Sequence, residues 1–564
     1  FSACVAAVAR ARHLVGAMAR RPGSYTGGMG MSSMLKEGSK HFSGVEEATL
    51  KNIDACKQLA ATVRTSLGPN GMNKMVINHL EKLFVTSDSA TILKELEVQH
   101  PAARLLVLAS KMQEEEMGDG TNLVVILAGE LLVKAEELLH TGVHCSEIIS
   151  GYNKAAEVAL KALEEQVALT VDDMRDATQV GHVLRSVIAA KQYGLEDFVA
   201  PMIAKACVSV MPDDTSKFNI DNVRVAKILG GVSGATDIVR GMVLLREPLG
   251  TVRRVSGARI AVYGCPIDST ATETKGTVLI KSADELMNYT KSEEAQMEAT
   301  IKAIADAGVN VVVCGQTIGE IAMHFLNRYN ILALKTPSKF ELRRICRTVG
   351  ATSLVRLEPP QLSELGSCQE VVIREIGSTK CTVLDRGDAI GAKVTTIVVR
   401  GSTGNILDDL ERTIEDGISV VKAMCADARF VPGGGACEMA VADALHKFGA
   451  QQPGLDQYAI HKFAEAMEVV PRTLADNAGL DATNMIANLY AGQHEGKRAT
   501  GIDIDAGAAG DMVQKGVLDL YATKQQAFKL AADAAITVLR VDQIIMAKQA
   551  GGAKAPPQGG GGDD

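Results

Sequence analysis

The sequence predicts a multidomain protein, mostly α with an α/β part, in which an α/β module is inserted into a helical domain. Three observations predict it. At 564 residues the chain is too long for one hydrophobic core, so two or three domains are expected. Its patterning runs helical, mixed, α/β, mixed, helical. Four short Gly/Asp segments lie in the two helical stretches, and together they hold the parts of a phosphate site that none contains alone. They are Leu67-Gly68-Pro69-Asn70-Gly71, Ser87-Asp88-Ser89-Ala90-Thr91, Gly118-Asp119-Gly120-Thr121-Asn122 and Pro432-Gly433-Gly434-Gly435, the last over 300 residues beyond the third. Either they are unrelated turns or the chain leaves a nucleotide-binding domain and comes back to it. The second reading is preferred.

Residues 1–30 are rich in Ala and Arg and lack acids, which fits a mitochondrial-type presequence. The preferred reading is an extension without fixed structure, or sequence upstream of a start at Met31 or Met34. Residues 43–67 predict a long helix, opened by a capping box of Ser43 and Glu46 and closed by Gly68-Pro69. Residues 74–77 and 82–85 are short strand candidates. A helix over 101–117 leads into the tight Gly118-Asp119-Gly120; another runs from Thr121 to about Leu139, and a third spans 145–168. In the middle, 258–263, 309–314 and 331–335 read as strands, with a helix from Ser282, capped to Glu285, between the first two. Strand–helix–strand order predicts a compact α/β module. A strand over 393–400 precedes a helix from Gly404 to Met424. Helical character resumes near Ala436 and continues to about Ala547, and the Gly/Pro-rich stretch 551–564 is expected to be a flexible tail. Residues 171–240 and 391–429 then form hinge pieces, one for each passage of chain between the domains.

Composition excludes several classes. The net charge is −8, and residues 1–35 carry four arginines and no acid, so the remainder sums to −12. An acidic body with 4% aromatics and no Trp argues against nucleic acid as a partner, because polyanions need a basic surface and stacking platforms. No apolar run approaches the roughly 18–20 residues that cross a bilayer; the longest, Leu123 to Ala128, ends two residues before Glu130. No membrane partner is expected. The eleven cysteines include no CxxC pair and read as reduced thiols of a cytosol-like compartment, without a structural zinc.

Gly118-Asp119-Gly120-Thr121-Asn122 opens a helix, where exposed amides and the macrodipole favour phosphate. Gly120 permits close backbone approach, and the Thr121 and Asn122 side chains add donors. Asp119 would repel phosphate, so its natural role is a Mg²⁺ ligand. The plain alternative is a capped helix start. Gly68 and its neighbours offer a second amide cradle or a Schellman-type stop, and Asp88 reads as an N-cap. The triple glycine around Gly434 suits close approach of a ligand or a hinge. Asp416 lies off the apolar stripe of Leu410, Ile414, Ile418 and Val421, and pattern alone reads it as a solvated acid. No P-loop, kinase signature or nucleophile elbow is present, and nothing marks an acceptor pocket for a small-molecule kinase.

Together these segments resemble the group II chaperonins, the TCP-1 ring complex family. The resemblance rests on LGPNGMNKMVI (67–77), TSDSATILKELEVQHPAARLL (86–106), GDGTN (118–122), VVRGST (398–403), VPGGGACE (431–438), VVPRTLADNAGL (469–480) and VLRVDQIIMAK (538–548), and covers about 34–550. MLKEGSKHFSG (34–44), Asn73, AKQYG (190–194) and RVDQIIMAK are most like one subunit type of the eukaryotic ring.

The resemblance implies a discontinuous equatorial ATPase domain over 31–170 and 430–564. It implies a hinge-like intermediate domain over 171–240 and 391–429, and an inserted α/β apical domain over 241–390 whose helical protrusion at 268–298 serves as a lid. It implies ATP and Mg²⁺ as cofactors, with Asp119 on the metal and Asp416 and Asp88 orienting the attacking water. Leu67, Gly68, Gly120, Thr121, Asn122, Leu123 and Gly434 would line the nucleotide, Lys191 would sense the γ-phosphate, and Asp519 would reach the ribose. It implies an ATP-dependent cytoplasmic chaperone. The partners it implies are paralogous subunits in a hetero-oligomeric double ring and unfolded clients such as actin and tubulin. The family's Asn-Asp-Gly reads Ser87-Asp88-Ser89 here, and its Gly-Met-Asp reads Gly71-Met72-Asn73. Ser89 is expected to restrict backbone approach beside Asp88. This leaves a second expectation, a nucleotide-binding subunit with weak hydrolysis and a mainly structural role.

Overall fold

The computed structural model describes residues 40–43, 48–268, 283–387 and 393–546. The chain divides into two units, 1–50 with 541–564, and 51–540. In the first, β1 (Lys40–Ser43) pairs antiparallel with Gln543–Met546, Lys40 opposite Met546 and Ser43 opposite Gln543. Ser43 itself ends a strand, and described helical backbone runs from Ala48 into α1 (Leu50–Arg64); the expected capping box with Glu46 falls on residues 44–47, outside the described residues. Pairing with a segment 500 residues away is invisible to a local capping rule.

In the second unit the hairpin β2 (Lys74–Ile77) and β3 (Leu83–Thr86) follows, close to the expected strands. Next come α2 (Ser89–Glu95), α3 (Pro101–Met117), α4 (Thr121–His140), α5 (Cys145–Glu164) and the short β4 (Leu169–Thr170). The apolar run Leu123–Ala128 is buried in α4. Among the described residues no helix is long and apolar enough to cross a membrane.

The stretch read as a hinge holds α6 (Ala177–Ala189), α7 (Glu196–Ser209), β5 (Val223–Leu229) and β6 (Asp237–Val239). The next segment builds a seven-stranded mixed sheet from β7 (Gly241–Leu244), β8 (Arg254–Tyr263), β9 (Val311–Cys314), β10 (Leu332–Lys335), β11 (Ser353–Leu354), β12 (Gly366–Ile376) and β13 (Thr379–Asp385). Interleaved are α8 (Ala283–Asp306), α9 (Glu320–Arg328) and α10 (Lys339–Val349). Along β8 the period of two sends Ile260 and Val262 to one face, against Leu342, Ile345 and Val349 of α10. Ala261 and Tyr263 go to the other, against Ile301 and Ile304 of α8 and Phe325 of α9. The unbroken run Val311–Cys314 is buried throughout, as befits a parallel strand covered on both faces. The expected protrusion falls partly on residues 269–282, outside the described residues.

The chain then returns. β14 (Thr395–Gly401) lies parallel to β5, Ile397 opposite Val225, and antiparallel to β6. It feeds α11 (Gly404–Met424), whose stripe of Leu410, Ile414, Ile418 and Val421 is buried in one core with α6 and α7. β15 (Arg429–Pro432) leads to α12 (Ala436–Gly449), α13 (Asp456–Met467), α14 (Val469–Asn477) and α15 (Ala482–His494). The helical run expected to Ala547 is interrupted. A hairpin of β16 (Thr500–Asp503) and β17 (Ala508–Asp511) intervenes, then β18 (Leu518–Leu520), before α16 (Tyr521–Leu539). The RVDQIIMAK segment forms the strand Gln543–Met546, not a helix. β15 is sandwiched antiparallel between β4 and β18, and α16 packs on α3, α4 and α5. The late helices thus close over the early ones. The ten cysteines in described positions are free thiols.

Candidate functional site

The four Gly/Asp segments meet around one cavity of about 520 Å³. Its wall includes Leu67, Gly68, Asp88, Asp119, Gly120, Thr121, Asn122, Leu123, Lys191, Gly434 and Asp519, every residue singled out from sequence except Asp416. Asp416 reaches the site through Lys191, as described below.

The Gly118-Asp119-Gly120 corner is built by two left-handed glycines. Gly118 (φ 74°) ends α3 and Gly120 (φ 79°) starts α4, so a single aspartate joins two long helices. α4 has no side-chain cap, which leaves the amides of its first turn on the cavity wall. Gln113 holds the corner from behind, its amide nitrogen donating to the Asp119 carbonyl at 2.9 Å and the Thr523 carbonyl at 3.1 Å.

The electrostatic centre is Lys191, in the turn after α6. Its ammonium pairs with Asp416 on α11 and, at 3.4 Å, with Asp88 Oδ1. The three side chains are 14%, 16% and 10% exposed. Pattern alone made Asp416 a solvated acid; the structure buries it against a lysine instead. Burial alone would discharge Lys191, but Asp416, Asp88 and Asp119 outweigh it and hold its pKa above the ordinary value. Burial pushes the Asp416 carboxyl up, against the pull of Lys191 and with the push of Asp88. Asp88 goes the other way, to about 2, because Lys191 and the Thr91 hydrogen bonds outweigh its burial. Asp88 is also the N-cap of α2, accepting from Thr91 N at 3.0 Å, so the cap and the site share one carboxylate.

The Asn122 side chain bridges two of the segments: its Nδ2 spends one hydrogen on Ser66 O and its Oδ1 accepts from Ser89 N. Thr121 Oγ1 donates to Asp88 Oδ1 at 3.3 Å. These side chains tie the segments together, and at the start of α4 the backbone amides face the cavity for an anion. Ser89 does not strain the backbone. Its φ is negative, it lies in the first turn of α2, and its amide is bonded, so a glycine is not required there. The triple glycine is demanded by the protein's own packing. Gly434 and Gly435 have φ of 62° and 82°, and a Cβ on Gly434 would meet Met512 Sδ at 2.7 Å.

The residues fit a magnesium–triphosphate. Asp88, Asp119 and Asp416 face one ammonium, an excess of negative charge that a divalent cation would neutralise. The Asp119 carboxylate has no hydrogen-bond or ion-pair partner among the described residues. No group of three protein ligands for a metal occurs among the described residues. That suits Mg²⁺, which is commonly held by one or two carboxylates with phosphate and water oxygens.

Sequence reasoning missed the far wall: Asp503, Ile504 and Asp505 from the hairpin turn, Lys515, Tyr193 and Lys524. Tyr193 OH donates to Asp505 Oδ1 at 2.6 Å across the mouth. The one available signal was Gly501-Ile502-Asp503, a glycine in a strand followed by an acid.

The chain matches the TCP-1/cpn60 chaperonin family over residues 59–549. The chain belongs to that family. It is 54% identical over 532 residues to T-complex protein 1 subunit theta of Macaca fascicularis, covering 94% of this chain and 96% of the relative. Against the theta subunits of Arabidopsis thaliana and Dictyostelium discoideum, identity is 53% over 527 residues and 50% over 531. Those matches cover 93% and 94% of this chaperonin chain, and 96% and 99% of the relatives.

Proposed function

We propose that this chaperonin chain is an ATP-driven folding subunit of a hetero-oligomeric double ring. It binds ATP with Mg²⁺ and hydrolyses it, and the cycle opens and closes a chamber in which non-native proteins fold. The observation that carries the reading is the convergence on one cavity of the uncapped α4 amides, the free Asp119 carboxylate and the Lys191–Asp416 pair. On this reading 31–170 with 430–564 is the equatorial ATPase domain, 171–240 with 391–429 the intermediate domain, and 241–390 the apical domain that holds clients. On the same reading the compartment is the cytoplasm and the other subunits are paralogues; the relatives are each one subunit, theta, of T-complex protein 1.

The α4 amides and Gly68 cradle the phosphates, with Asp119 as the metal's protein ligand. Bound Mg²⁺ supplies charge neutralisation on the transferred phosphate. Lys191 is an ammonium that can turn from Asp416 toward an anion in the cavity. Released from it, the Asp416 carboxylate has an open oxygen that can take a proton from water, with Asp88 held ionised beside it. Because α11 carries Asp416 and leads straight out of β14, movement of that segment couples the site to the rest of the chain.

The unstrained Ser89 backbone weakens one of the two sequence-based reasons for favouring a merely structural subunit, and Asn73 remains the other. A ring assembled with Asp119→Ala and Asp416→Ala in this chain tests the choice. Its hydrolysis attributable to this chain is expected to fall by about 10²–10⁴-fold, since a positioned carboxylate contributes that much. Unchanged ATPase and client folding would rule the enzyme reading out.

A further inference from the structure

At the wall of the cavity three charged side chains meet. Glu438 lies in the first turn of α12, Lys524 in the first turn of α16, and Asp519 in β18. The Lys524 ammonium pairs with Glu438 Oε1 and lies 3.1 Å from Asp519 Oδ2. Glu438 is wholly buried and the Lys524 side chain is 10% exposed, whereas Asp519 is 33% exposed and faces the cavity.

Stability does not explain the lysine. A buried ion pair is commonly replaceable by apolar residues without loss. A cation in the first turn of α16 also opposes the helix dipole. What Lys524 does is hold one oxygen of Asp519. The Gly433 backbone closes in on the same oxygen, where a Cβ would sit 3.1 Å from it. No other described side chain engages the second oxygen.

We propose that Lys524, itself anchored by Glu438, is a positioning residue that fixes Asp519 so that its free oxygen accepts hydrogen bonds from a vicinal diol, the ribose hydroxyls of the bound nucleotide. This rests on the nucleotide reading of the same cavity. The triad makes affinity depend on the sugar, and Glu438 acts only through Lys524.

The test is photolabelling of this chain with 8-azido-ATP in the assembled ring, with ATP or 2′,3′-dideoxy-ATP as competitor. Wild type should prefer ATP by about tenfold, the worth of a hydrogen bond to a charged acceptor. With Glu438→Leu plus Lys524→Met, which leaves neither of this pair buried without the other and frees Asp519 from its anchor, the preference should fall below about twofold while dideoxy-ATP competes as before. Lys524→Arg should restore it, and Glu438→Gln, which leaves Lys524 on Asp519, should retain most of it. A double variant that keeps the wild-type preference overturns the inference. So does a wild type that is labelled but indifferent to the sugar. Absence of any ATP-competed labelling would instead defeat the nucleotide reading itself.

Discussion

Lys191 governs two carboxylates of opposite behaviour. It holds Asp88 ionised down to about 2 while Asp416, paired to the same ammonium, is pushed up by burial. Removing the ammonium leaves both acids buried and unpaired, so Lys191→Met should destabilise the full chain by about 3 kcal/mol in denaturant unfolding. Lys191→Met plus Asp416→Leu should be milder. The pH consequence follows from Asp88. Its folded pKa lies below the unfolded value of about 3.9, so its stabilisation is complete above that value and disappears as pH falls through about 2. Without Lys191 the folded value rises, and acid unfolding should begin at a higher pH than in wild type. None of this was legible at Asp416. Its helix and its stripe could be read from the 3.6 period, but a period shows only that a residue leaves the stripe, not what meets it there.

Among the elements, the turn after β15 and the contact of α12 with α13 are the most exacting. Gly434 needs a left-handed backbone, so Gly434→Ala should cost roughly 1–2 kcal/mol, read as a lowered unfolding midpoint, even without nucleotide. Across the α12–α13 contact, His446 Nδ1 and His461 Nδ1 lie 3.1 Å apart, within hydrogen-bond distance, and the rings stack at 5.4 Å. Burial, then His461, holds the His446 pKa below its ordinary value. The unfolded chain therefore takes up the proton first. Stability is complete above about 6.5 and declines as pH falls below it. His446→Gln should flatten that part of the pH–stability curve. The elements themselves were mostly legible: α3, α11 and the start of α12 fall at the expected residues because Pro101, Thr403 and Gly435 are local boundary signals. The hairpin over 500–511 was not, because its strands are four residues each, too short for a period of two to emerge.

For the whole molecule, the hairpin of β2 and β3 exposes Met72, Met75, Ile77 and Leu80, each at least 66% accessible. Several exposed apolar side chains on and beside one hairpin have the character of an assembly surface. Met75→Glu with Ile77→Glu should leave the isolated chain folded by circular dichroism and lower its incorporation into the ring, measured by size-exclusion chromatography of the assembled complex. Unimpaired incorporation would remove the hairpin from the interface.

By itself the sequence determined many of the helices, the α/β module and the four loops that carry glycine and aspartate, because caps, turns and periodicity are settled within a few residues of the chain. It also pointed to the chaperonin family, since those loops recur in order along it. Only the tertiary structure decided that Lys191 joins Asp88 to Asp416, that Asn122 ties Ser66 to Ser89, and that Lys524 stands behind Asp519. Such contacts close loops of tens to hundreds of residues. They form because the cores beneath them bring helices and strands together, and no short window of sequence carries that sum.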